Sequence, residues 1–257
     1  MMKSLNGTEM LDAVKKFENK CERTTEKHLP RMGKKAPVCY EFLGRVLAYA
    51  DMIGSCTFGC PGQSQNAHAL WYLTARTSSF GRAALRLARM GFYDEALIIV
   101  RSMGEIANLF ALFAVAPESI EEWKMADRCA RITRFSPAKI RERLACFDEL
   151  VPMDKAKYES LCEWSTHPVP DLQPQKFNHA RKSMTGGIYF QAAGFLVVLN
   201  EMAIIASLLV LYAAKSCGVP RNAFQEIGRA CKMCAMSAGQ IDLGAMERLW
   251  RETKNAD

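Results

Sequence analysis

Glycine and proline are sparse, 16 and 10 in a chain of 257 residues, too few for a protein built of many short strands and tight turns. No stretch alternates apolar and polar residues for long, which argues against a sheet. The glycine fingerprints of phosphate-cradling loops, GxGxxG and GxxxxGK[ST], are missing, and so is a serine nucleophile elbow. The N-terminal stretch MMKSLNGTEMLDAVKKFENK has no apolar run of the kind an export signal needs, so the cytoplasm is the expected compartment. The ten cysteines are then expected to stay reduced and to serve mainly as small core residues. Neither sign of charge is lacking. Lys+Arg exceeds Asp+Glu by 34 to 27, a net +7 that favours acidic partners without being diagnostic of nucleic acid.

What is present is helical periodicity. The fold class expected is all-α, a bundle of about ten helices around two central apolar ones. Residues 8–28 form the first helix, with Thr8 as N-cap and Leu11, Val14 and Phe17 at helical spacing. A second runs over 37–54 and stops near Gly54, before SCTFGCPGQSQN, a loop by composition. A third covers 66–90 and ends at Gly91; a fourth, 92–115, ends before Pro117. Residues 118–134 form a charged amphipathic helix. Ser136 and Pro137 then open another that reaches about Glu149. Asp154 caps a short helix that must finish by His167, because Pro168 restricts the residue before it. Further helices are expected over 175–184, 188–215, Pro220 to Ser237, and Ile241 to Thr253. Residues 195–214 are long enough to span a bilayer, but Asn200 and Glu201 fall inside the run, so a buried central helix is expected and no membrane partner.

Chemistry concentrates in two places. On the helix 92–115, Asp94, Arg101, Glu105 and Asn108 are separated by 7, 4 and 3 positions and share one face. That stripe is either an Arg101–Glu105 ion pair specifying the packing, or the wall of a site in which Arg101 binds an anion, Glu105 orients a partner, and Asp94 and Asn108 contact the ligand. In YESLCEWSTHPVP, Tyr158, Cys162 and Ser165 lie at helical spacing and His167 stands at the helix end. There the dipole favours the imidazolium, suited either to acid/base work or to capping the last carbonyls. His167 is expected within one side-chain length of the Arg101–Glu105 face.

The pairing of YDEALIIVRSMGEIANLFAL with YESLCEWSTHP resembles a pattern in prokaryotic helical proteins where a helix with Arg-x-x-x-Glu precedes one ending in Tyr…Ser/Cys…His-Pro. It is similar in arrangement to HEPN domains, helical bundles of toxin–antitoxin and phage-defence systems. The resemblance covers about residues 66–215. It implies three regions: 1–65, an N-terminal helical part with the Cys/Gly loop; 66–217, the HEPN-like core; and 218–257, C-terminal helices packed on it. It also implies a shared polar centre of Arg101, Glu105, Tyr158 and His167. Active HEPN ribonucleases carry Arg-x4–6-His, and the segments after Arg143 and Arg181 have no histidine at that spacing.

Two weaker constellations remain. Cys56, Cys60 and His68, with Cys39 as a fourth ligand, suit zinc by residue type, against the alternative of cysteines filling core gaps. Cys231 and Cys234 have CxxC spacing but read as packing residues. Arg82, Arg86 and Arg89 recur along one helix, where they can follow a phosphate backbone or form a solvated face. Two functions are expected from different classes. One is a HEPN-like effector of a bacterial defence or toxin–antitoxin system, acting on RNA or a nucleotide. The other is a non-enzymatic sensor or assembly module that binds an anionic ligand or a partner protein, such as one from the same operon. A homodimer is the expected assembly, and no cofactor other than zinc is implied.

Overall fold

A computed structural model describes residues 7–58, 66–165 and 190–238. Among them the chain is all-α, with ten α-helices and no strand. In chain order these are α1 (Gly7–His28), α2 (Lys35–Phe58), α3 (Ala67–Met90), α4 (Tyr93–Val115), α5 (Glu118–Met125), α6 (Arg128–Phe135), α7 (Pro137–Cys146), α8 (Lys155–Ser165), α9 (Ala192–Ser216) and α10 (Arg221–Ala238). The expected helices 175–184 and Ile241–Thr253 lie outside the described residues.

α4 and α9 are the centre, and they form the most extensive contact in the molecule. Both are apolar over most of their surface, α9 nearly all round, while α4 keeps one partly exposed strip along Glu95, Ile98 and Ser102. α2, α3 and α10 pack around α9, while α7 and α8 cover the remaining side of α4. One hydrophobic cluster runs from Ala36 to Ala238, so all three regions drawn from the sequence contribute to a single core. α9 and α4 are each long and apolar enough to cross a membrane, and the greater part of α9 is buried inside the bundle.

Local signals place the helix ends. Gly91 takes φ +92 between α3 and α4. Its N–H donates to Ala88 O, and that of Phe92 to Leu87 O at 2.9 Å, a left-handed helix stop that glycine adopts without a Cβ clash. Pro137 opens α7, and Asp154 Oδ1 accepts from Lys157 N at 2.7 Å to open α8. Several boundaries differ from expectation: Thr8 lies inside α1, α7 ends at Cys146, and two further differences have a clear cause. α2 does not stop at Gly54 but continues to Phe58, because Ile53 is buried and Gly54 lies against Thr74 and Trp71 of α3. That packing outweighs the intrinsic helix cost of glycine, roughly 1 kcal/mol. The single helix expected over 118–134 is two, since Asp127 Oδ1 accepts from Ala130 N at 2.7 Å and starts α6 afresh.

Candidate functional site

The polar stripe of α4 faces α7 and α8. Asn108, 1% exposed, holds the strand of chain leading into α8: its Nδ2 donates to Met153 O and its Oδ1 accepts from Met153 N, each at 2.8 Å. Gly104 lets Met153 sit close, since a Cβ there would fall 2.5 Å from Met153 Sδ. From this anchor α8 runs antiparallel to α4 and brings Tyr158 and Cys162 to Arg101. Arg101 Nη1 donates to Tyr158 Oη at 3.1 Å and to Cys162 Sγ at 3.6 Å. Its nearest carboxylate oxygen is Glu105 Oε1, 3.6 Å away, so the expected ion pair exists but is long.

α7 adds a residue that the stripe does not contain. The Arg141 guanidinium lies 5.1 Å from the centroid of the Tyr158 ring, and that of Arg101 lies 5.5 Å from it. Cation–π attraction of each to the phenol ring holds the two cations near one aromatic. Arg101 Nε and Arg141 Nη1 are both buried and have no hydrogen-bond partner among the described residues. Among the described residues only Arg101 lies within 4 Å of a carboxylate, that of Glu105, and each guanidinium has a donor to spare.

The electrostatics reinforce this imbalance. Burial pushes the Glu105 carboxyl above its usual value, against the pull of Arg101 and Arg141. Burial works against the Arg101 charge too, but the Cys162 hydrogen bond, Glu105 and Tyr158 outweigh it and raise the guanidinium. Burial, with Cys162 next, raises the Tyr158 phenol, so its hydroxyl keeps its proton at neutral pH and can donate. The arrangement is an acceptor-poor, donor-rich site of net positive charge, and its residues are half-buried.

Asp94 lies two turns below Arg101 on α4. Its Oδ1 is buried and unpartnered, and burial, then Glu95, push its carboxyl up to about 7. The antiparallel register carries the last turn of α8, at Ser165, toward this end of α4. His167 itself lies outside the described residues, as does Cys60.

The other candidates separate. Cys56 is in the last turn of α2 and Cys39 in its second. A continuous helix puts those positions about 25 Å apart along the axis, so Cys39 cannot complete a site with Cys56. Cys39 is instead fully buried beside Cys234 of α10. His68 is exposed at the start of α3. Among the described residues no group of three His, Cys, Asp or Glu is placed to hold a metal ion. Cys231 and Cys234 are fully buried. Burial pushes the Cys231 thiol up, and the hydrogen bond to Cys39, with burial behind it, does the same for Cys234, so both are protonated packing residues. Of the arginine stripe on α3, Arg82 pairs with Asp51, and Arg89 with Glu22 and Glu26. Among the described residues Arg86 is the one of the three that stands exposed without an ion pair.

Sequence reasoning missed three things. Arg141 carried no signal of its own, because its role depends on the docking of α7. Lys157 Nζ lies 2.9 Å from both oxygens of Glu201, the carboxylate inside the apolar helix α9. A lone acid in such a helix was the signal that a cation must come to it. Finally, Arg23-Thr-Thr-Glu-Lys-His28 does have Arg-x4-His spacing, at the end of α1. The two positions are about 140° apart round the helix, Arg23 exposed and the His28 ring 5.1 Å from that of Phe190.

No family model, no curated protein and no solved structure matches the chain.

Proposed function

We propose that the site between α4, α7 and α8 binds an anionic group, and that the protein is a helical sensor or assembly module acting through that ligand. One observation carries the reading. Arg101 and Arg141 converge on Tyr158, each with a buried N–H that has no partner among the described residues, and Glu105 is the one carboxylate paired with either. Half-buried guanidinium donors without acceptors are costly unless a ligand supplies the acceptors. A phosphate or carboxylate matches the planar donor fork of arginine, and Tyr158 adds a protonated hydroxyl. Asn108, the anchor of α8, holds Tyr158 in place.

The test is calorimetric titration with inorganic phosphate and with a nucleoside monophosphate. Arg141→Gln removes a charged donor from the site but no packing at the core, so affinity is expected to fall tenfold or more, about 1.4 kcal/mol. Equal affinity in wild type and Arg141→Gln overturns the reading.

A second reading keeps the resemblance to HEPN domains and makes the protein an effector that acts on RNA or a nucleotide in a bacterial defence or toxin–antitoxin system. It draws on the resemblance over about residues 66–215 and, outside that range, on the Arg-x4-His spacing at Arg23 and His28 of α1. Incubation with total RNA decides: cleavage abolished by His28→Ala or His167→Ala supports an enzyme, and intact RNA with the folded wild type rejects one.

A further inference from the structure

The charges of α1 are segregated. Glu18, Glu22 and Glu26 recur at four-residue steps beside the face that meets α3, where Arg89 lies 3.1 Å from Glu22 and also pairs with Glu26. Lys16, Lys20, Arg23 and Lys27 follow one another at i, i+4, i+7 and i+11 on the opposite side from the buried Cys21 and Thr25. All four are exposed, and among the described residues none of them has an ion pair. With Asn19 and Thr24 they line an open groove of about 310 Å³ along the helix.

Like charges at these spacings destabilise a helix, so α1 keeps the row at a cost that a bound polyanion would remove. The groove has no apolar side chain, and hence nothing on which a partner helix could bury a seam. Its uncharged members, Asn19 and Thr24, are residue types that hydrogen-bond phosphate and sugar oxygens. The four cations extend over about 16 Å of helix, a line rather than a cluster, which fits a linear polyanion better than a compact anion.

We propose that this groove binds the phosphate backbone of a nucleic-acid strand without reading its sequence. An anionic membrane fits less well. Of the exposed apolar residues of α1, Leu11 and Val14 point away from the basic row, and Phe17 alone flanks it, one turn from Lys20. Laying Leu11 and Val14 on lipid would bring Glu18 and Glu22 to the surface and leave the cations facing solvent. The inference is independent of the anion site at Arg101 and Arg141, to which α1 contributes no residue.

Fluorescence anisotropy with a labelled single-stranded RNA across a salt series tests it. Four single-strand phosphate contacts predict a slope of log K against log salt near −3, from about 0.7 per contact. In the variant Lys16→Gln/Lys20→Gln/Arg23→Gln/Lys27→Gln, affinity at low salt is expected to fall at least a hundredfold and the slope to flatten. Circular dichroism should show unchanged helicity. A matched variant, Arg128→Gln/Arg131→Gln/Lys139→Gln/Lys155→Gln, removes the same charge elsewhere and is expected to keep most of the binding and slope. The proposal is overturned by no binding in the wild type, by equal losses in the two variants, or by binding to phosphatidylserine vesicles in preference to RNA.

Discussion

Asn108 and Asp94 stand on the same stripe of α4 and do different work. Asn108 satisfies both polar atoms of the Met153 peptide unit. Asn108→Ala strands a buried N–H and a buried carbonyl, so a loss of about 3 kcal/mol is expected in urea denaturation. A loss under about 1 kcal/mol would mean that the turn before α8 is held by something else. Asp94 has no such partner. Its carboxyl is raised in the fold from 3.8 to about 7, so between those values the native state holds a proton that the unfolded chain has released. Stability therefore falls as pH rises through that window. Asp94→Asn removes the penalty and is expected to be more stable than wild type at pH 8 by on the order of 1 kcal/mol, allowing for partial exposure. The gap should close near pH 4. Thermal unfolding at both pH values checks this; the same gap at both contradicts it. The stripe itself was legible, because spacings of 7, 4 and 3 have one geometric meaning on a helix. That one member is a backbone clamp and another an isolated acid was not, since both roles are set by what docks against α4.

At the scale of elements, α8 is the piece that assembles the site, and a buried ion pair ties it down. Glu201 is 4% exposed in the middle of α9, and Lys157 in the first turn of α8 reaches both of its oxygens. Lys157→Ala leaves that carboxylate buried and alone, at an expected cost of about 3–5 kcal/mol. The double variant Lys157→Met/Glu201→Leu removes both charges and is expected to recover most of it. If the double variant is as unstable as the single one, the pair is not what holds α8 to α9. The same element shows where local reading succeeds and fails. Asp154 as the cap of α8, Gly91 as the stop of α3 and Pro137 as the start of α7 depend on short-range bonding, and the sequence shows them directly. The continuation of α2 through Gly54 and the break of 118–134 at Asp127 depend on which competing interaction is stronger. At Gly54 it is packing against α3; at Asp127 it is a side-chain cap within a charged segment that the periodicity treated as one helix.

Over the whole molecule, the two most apolar of the long helices had to become the centre, and α4 and α9 are that centre. Their few polar residues are where the chain spends its specificity: Glu201 on Lys157, Asn108 on Met153, Arg101 on Tyr158. The Arg101–Tyr158 contact stands apart because it is unsaturated, with Arg141 brought to the same ring and donors left over on both guanidiniums. Anion binding at this place is the central claim, and the side-chain Nε–H of Arg101 reports on it most directly. In a ¹H–¹⁵N spectrum of labelled protein titrated with inorganic phosphate, that resonance is expected to shift and saturate, and the shift to vanish in Arg141→Gln. An Arg101 Nε–H signal that stays in place at saturating phosphate would contradict the account.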